Sequence, residues 1–488
     1  MQFNSIEFLV FFAVVVALYF ALPFRARWLL LLIASYYFYM AWEPLYALLI
    51  VASTLVDYLA VLWMAHEPEK TGRRKCLIMS LVANLGLLFT FKYFDFFAAW
   101  SNRAFGWLHV PVDIPLLDVL LPVGISFYTF QTLSYTIEVY RGHQQPERHL
   151  GRFALYVAFF PQLVAGPIER SVNLLPQLNR EHAFDYGRVR DGLIRMLWGL
   201  LKKVVVADRL AVFVNHVYGA PERYPGPILV LGTVFFAFQI YCDFSGYSDI
   251  AIGAARVMGI DLIQNFRRPY GARSIPEFWR RWHISLSTWF RDYVYLPLGG
   301  RHVALGRWFS NILIVFVVSG LWHGANWTFV VWGALHGSYY IAGYLLKGVR
   351  ARLARDTGLE HRPRVIDALR LVTTFLLVCL AWVFFRAESV SQAVYILTHF
   401  PSHWGHLTAY GGFARILTSM DLSVRAFVAT VLPLIVLLTV EHIGKDTSIE
   451  ELVGRRPVWM RWAFYVVAGF AVMNLGVPEE IPFVYFQF

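Results

Sequence analysis

The chain has 488 residues, of which 58% are hydrophobic, 17% aromatic and only 15% charged, with a formal net charge of +11. A soluble globular domain carries about 25% charged residues, so this composition excludes an ordinary soluble protein and predicts many lipid-facing helices. The Lys and Arg residues gather in short stretches between apolar segments, which fits cytoplasmic membrane ends and excludes nucleic acid as a partner.

The first apolar segment, Ile6–Pro23, follows no positive n-region and no small-residue cleavage site, so it reads as a retained span. Arg25 and Arg27 precede the aromatic run Trp28–Trp42, and Pro44 restarts the chain into Leu45–Met64. Lys70, Arg73, Arg74 and Lys75 form a second basic loop before Leu77–Phe97. Two basic loops separated by two spans share a side, and the positive-inside rule places both in the cytoplasm. The amino terminus is then expected outside.

Trp100–Leu121 is a Pro-interrupted connection, followed by helical candidates at Leu121–Val139, Phe153–Val164, Val189–Val214 and Ile228–Tyr241. Several are short or carry polar groups such as Gln131, Thr132 and Gln162. Broken helices at membrane depth must line a cavity or be covered by protein. The stretch Tyr241–Gly300 mixes Asp243, Asp249, Asp261 and Asp292 with many arginines and aromatic rings. It predicts interfacial or re-entrant helices at headgroup depth. Spans resume at Phe309–Ser319 and Trp327–Leu345, a basic segment follows at Lys347–Arg370, and Leu371–Phe385, Ala426–Val440 and Trp462–Met473 complete the set. The expected class is all-α: a polytopic integral membrane protein of about eleven spans plus short re-entrant or interfacial helices. One membrane domain over residues 1–488, with its catalytic core at 121–345, is the expected organisation.

Two segments carry histidines at membrane depth, where ionisable groups are costly and mark function. The first, Phe278–Gly300, contains His283; the second, Ser319–Tyr340, contains His323 and His336. Gly320 and Gly324 flank His323 and permit close backbone approach, while Trp322 and Trp327 offer apolar walls against water. A neutral imidazole there can take the proton of an acceptor hydroxyl attacking a thioester, and excluding water prevents hydrolysis of the donor. The plainer reading of each histidine is a satisfied structural group. On one continuous helix His336 stands about 20 Å from His323, and Gly333 and Gly337 point to packing as its role. Arg280, Arg281 and Arg291 suit phosphates of a carrier or of lipid headgroups, and Asp243 and Asp292 suit ion pairing or the orientation of a histidine. The sequence has no phosphate-binding glycine loop, no nucleophile elbow and no compact zinc motif. Cys76, Cys242 and Cys379 are too far apart for a metal set. No metal and no permanently bound cofactor is expected.

Long motifs then carry a resemblance: LPVGISFYTFQTLSYTIEVYRG at Leu121–Gly142, FPQLVAGPIER at Phe160–Arg170, YCDFSGYSDIAIG at Tyr241–Gly253, both histidine segments, and the terminal FVYFQF. Through them the chain resembles, almost end to end, the membrane-bound O-acyltransferase (MBOAT) family in its bacterial polysaccharide branch. The resemblance implies the MBOAT fold, His323 as the catalytic histidine and His283 as the second functional position. It implies acetyl transfer from acetyl-CoA on the cytoplasmic side of a bacterial inner membrane. Periplasmic esterase-like acetyltransferase partners would complete the transfer beside a polysaccharide export complex. It also implies an acyl-relay role for Tyr485. Relatives acetylate alginate, cellulose or peptidoglycan, and alginate is the expected acceptor. The readings from other classes are a transporter and a non-enzymatic scaffold.

Overall fold

The computed structural model describes residues 1–164, 166–405, 412–444, 447–477 and 481–484. Among the described residues every regular element is helical. In chain order the helices used below are α1 (Ile6–Ala21), α2 (Phe24–Met40), α3 (Ala47–His66), α4 (Lys70–Leu88), α5 (Ile125–Arg141), α6 (Leu150–Ala158), α7 (Gly226–Val257), α8 (Ile275–Trp279), α9 (Ile284–Phe290), α10 (Leu305–His323), α11 (Trp327–Leu345), α12 (Pro363–Arg386) and α13 (Val424–Ile443). An α-helix satisfies its backbone polar groups within itself, which is what an apolar chain in lipid requires.

Six described helices are long and apolar enough to cross a membrane: Pro44–His66, Lys70–Trp107, Gly226–Val257, Leu305–His323, Pro363–Arg386 and Val424–Ile443. The apolar α1 is a little shorter. A multi-pass membrane protein follows. Of the remaining apolar segments read from the sequence, Trp327–Leu345 forms a helix of 19 residues, and others form shorter or interrupted helices. Residues 186–219, for example, pass through a π-helical stretch at Leu201–Ala207.

The chain divides into two compact units. One comprises Met1–Met196 and Tyr247–Ile263, the other Leu197–Gly246 and Gln264–Phe488; residues 121–345 contribute to both. In the first unit α3, α4 and α5 pack together around a polar knot. Asn84 donates to both carboxylate oxygens of Asp57 at 2.9 and 3.0 Å, Ser80 also donates to Asp57, and Ser53 donates to Asn84 at 2.6 Å. In the second unit α10 and α11 form an antiparallel pair, with α12 packed on α11.

One element departs from the sequence reading. Residues 241–257, expected as interfacial, continue α7 as a single helix of 32 residues. Of its most apolar window 78% is buried, against 17% for α13. Its polar residues are therefore buried in protein rather than exposed to headgroups. Asp243 is 1% exposed, Ser245 and Ser248 each 2%. The short helices expected in this region begin only after Val257, with α8, α9 and a π-helical turn at Arg291–Tyr295.

Candidate functional site

His283 is the N-cap of α9, and its Nδ1 accepts the Leu286 N–H at 3.3 Å. Its backbone is left-handed, with φ of 42°, a conformation that costs a non-glycine residue roughly 1–2 kcal/mol. Neighbouring backbone bonds hold it there. The Ile284 N–H donates to the Asn265 carbonyl at 2.9 Å, and the Ser285 N–H and hydroxyl donate to Asn265 Oδ1 at 3.2 and 3.0 Å. Strain maintained by surrounding structure is a mark of functional sites. The ring is 0% exposed. With Nδ1 accepting, the ring proton sits on Nε2.

His323 ends α10 and is 3% exposed. Its ring lies 6.3 Å from that of His283, centroid to centroid, at 78°. Trp322 at 4.9 Å, Trp332 at 5.0 Å and Phe385 at 5.4 Å wall it edge to face. Phe244 lies 4.7 Å from His283. This is a buried, aromatic enclosure around two imidazoles.

The hairpin that places His323 depends on glycine. The chain leaves α10 at Gly324, and Asn326 caps α11 by accepting the Thr328 N–H at 3.1 Å. The two helices then run back to back so closely that a Cβ on Gly320 would collide with the Phe329 carbonyl, and one on Gly333 with the Phe316 carbonyl. This break replaces the continuous helix on which the 20 Å separation of His323 and His336 was reckoned. Trp332 instead stands between them, 5.0 Å from each ring. His336 is fully buried and accepts the Trp279 indole N–H on Nδ1 at 3.2 Å.

Trp322 is buried against both histidines, whereas Trp327 is 42% exposed on the first turn of α11. Arg281 is paired with Glu277 at 2.6 Å and Arg291 with Asp292 at 2.7 Å, while Arg280 is exposed and makes no ion pair among the described residues. Asp243 pairs with Lys203 at 2.8 Å. Tyr485 lies outside the described residues. The sequence reading missed Trp332, Phe385, Phe244 and Asn265. Of these, Trp332 was legible, one and a half turns into a helix announced by the Asn326 cap. No group of three or more His, Cys, Asp or Glu residues suited to a metal occurs among the described residues.

The arrangement holds two buried imidazoles inside an aromatic wall, a setting suited to proton transfer during acyl transfer. Comparison with known families agrees in class: residues 147–385 match the membrane-bound O-acyltransferase family. That segment contains His283, His323 and His336. The chain is 41% identical over 396 residues to the probable alginate O-acetylase AlgI of Pseudomonas aeruginosa, covering 80% of this chain and 73% of that protein. It is 35% identical over 402 residues to the peptidoglycan O-acetyltransferase of Helicobacter pylori, covering 77% and 73%. More distantly, it is 29% identical over 289 residues to the teichoic acid D-alanyltransferase of Streptococcus thermophilus, covering 54% and 68%. The chain belongs to the membrane-bound O-acyltransferase family, and is a multi-pass membrane O-acyltransferase.

Proposed function

We propose that this chain is the inner-membrane acetyltransferase of an exopolysaccharide O-acetylation system, with alginate as the polymer finally modified. The observation that carries the reading is His323, buried and enclosed by Trp322, Trp332 and Phe385 beside His283. It is joined by the 41% identity to a probable alginate O-acetylase.

Acetyl-CoA is the proposed donor, presented from the cytoplasm, with the exposed Arg280 available to its phosphates. His323 accepts the proton of the attacking hydroxyl as its oxygen bonds to the thioester carbonyl carbon. The C–S bond then breaks, and the proton passes to the leaving thiolate. His283 helps define the space in which that carbonyl sits. Periplasmic esterase-like acetyltransferases would carry the group on to the polymer within the export complex, with Tyr485 as the proposed relay. Membrane lipid surrounds the remaining faces.

Membranes bearing wild-type or His323→Ala protein are supplied with labelled acetyl-CoA, periplasmic partners and either alginate or peptidoglycan. Label is expected in alginate with wild type only. Label in peptidoglycan alone would move the acceptor to that polymer, as the Helicobacter pylori relative allows. Undiminished acetylation by a normally inserted His323→Ala protein would replace the enzyme with a transporter or scaffold.

A further inference from the structure

Away from the histidines, three charged side chains are buried together at the end of the chain. Lys203 is 1% exposed, Asp243 1% and Asp208 6%. The π-helical stretch Leu201–Ala207 makes the first contact. Its wide turn closes with the Asp208 N–H on the Lys203 carbonyl, which stacks residues five apart and sets Lys203 Nζ 2.7 Å from Asp208. Gly246 makes the second, because its missing Cβ lets α7 lie against the Gly199 carbonyl and the Lys203 backbone, bringing Asp243 to 2.8 Å from Nζ.

The C-terminal segment completes this cluster. The Ile481 carbonyl accepts from Lys203 Nζ at 3.1 Å, and the Val484 N–H donates to Asp243 Oδ2 at 2.7 Å. Phe483 and Val484 are 1% and 3% exposed. Phe483 lies 5.7 Å from Phe244, which also lies 4.7 Å from His283. One aromatic ring thus separates the segment from the site.

We propose that Lys203, Asp208 and Asp243 are a seat for the C-terminal segment, and that Asp243 and Lys203 are positioning residues for acyl transfer. Apolar contacts alone would fasten Phe483 and Val484 at lower desolvation cost, but in any of several registers. A carbonyl acceptor for the ammonium and an N–H donor for the carboxylate, three residues apart, admit one register. The charges therefore fix where the chain leaves the seat, next to the Phe244–His283 wall. The functional part of this proposal rests on the acetyltransferase reading; the seat itself does not.

The test uses the full chain in native membranes, with a thiol introduced by Val484→Cys and a water-soluble maleimide as probe. Protein lacking that substitution supplies the background of the buried Cys76, Cys242 and Cys379. Asp243→Ala is expected to raise the labelling rate at position 484 at least tenfold. In the otherwise native chain it should lower acetyl transfer at least tenfold. Asp243→Asn, which keeps an oxygen for the Val484 N–H, should restore most of both. Val484→Pro removes that N–H, along with fixing φ at 484, and leaves Asp243 and Lys203 intact, so it tests the seat even if Asp243→Ala does not insert. It should lower acetyl transfer at normal protein level.

Equal labelling rates with and without Asp243→Ala overturn the seat. Faster labelling with acetyl transfer within twofold of wild type, or a fully active Val484→Pro protein, overturns the positioning role. Acetylation that survives His323→Ala overturns the acetyltransferase reading but leaves the labelling result standing.

Discussion

The glycine hairpin that ends at His323 allows a graded test of whether helix spacing controls the site. Four glycines on α10 and α11 differ in what an added methyl group would meet. At Gly320 and Gly333 it would strike a main-chain carbonyl oxygen of the facing helix, which cannot rotate away. At Gly337 the nearest atom is Leu313 Cδ2 at 3.0 Å, the end of a flexible side chain. At Gly343 there is nothing within 4 Å. Gly343→Ala should therefore be neutral, or stabilising by about 1 kcal/mol through helix propensity.

Gly333→Ala gains the same propensity but must push the helices apart by on the order of 1 Å, with overpacking costing about 1–3 kcal/mol. The displacement moves His323 relative to Trp332, and a misplacement of about 1 Å can cost roughly 10²-fold in rate. Thermal unfolding in detergent and initial rates of acetyl transfer should rank Gly343→Ala at wild type, Gly337→Ala slightly lower, and Gly320→Ala and Gly333→Ala at about one-hundredth. A Gly333→Ala protein as active as Gly343→Ala would refute the claim that this spacing sets the site.

Two further outcomes follow from charges outside the spans. Glu169 is buried in the loop after residue 164, where it accepts from Ile263 N–H and, at 2.7 Å, from Asn173; burial raises its pKa from 4.5 to about 7. The folded state then holds this proton more tightly than the unfolded chain, so stability falls as pH rises from about 4.5 to 7. Glu169→Gln should flatten that part of the pH profile in detergent unfolding; an unchanged slope would assign it to other groups. Arg280→Gln should raise the donor KM by roughly fivefold, the worth of about 1 kcal/mol for an exposed charge contact, with kcat little changed. A loss confined to kcat would place Arg280 elsewhere in the reaction.

Much of the architecture is visible in hydropathy because lipid exposure leaves long uninterrupted apolar faces, as on α13. Interior helices lack that signature. The carboxylate of Asp243 makes α7 look interrupted, yet the helix continues because Lys203, forty positions earlier, neutralises it in three dimensions. No local pattern announces that pairing. Lys347–Arg370 illustrates the converse: the basic run includes the first turns of α12, which begins at Pro363. The break after His323 was more accessible, since Gly324 followed by the capping Asn326 is a stop and a start in three residues. For His283, the sequence shows a costly histidine but not its left-handed backbone, which depends on Asn265 across a loop.

That backbone makes the role of His283 separable. As an N-cap with φ of 42°, the position favours Asn, which tolerates the left-handed region and caps helices well. His283→Asn should therefore preserve α9 and the fold while deleting the imidazole. His283→Ala deletes the ring, the cap and the tolerance for that φ together, and should lose about 1–2 kcal/mol of stability besides. If the ring only caps a helix, Asn restores activity. If the ring faces the reacting groups 6.3 Å from His323, both variants lose about 10²-fold or more in kcat, and only Ala loses stability. The second outcome is expected. A His283→Asn protein retaining more than about a tenth of wild-type turnover would reduce His283 to a structural cap and leave His323 as the sole imidazole of the proposed mechanism.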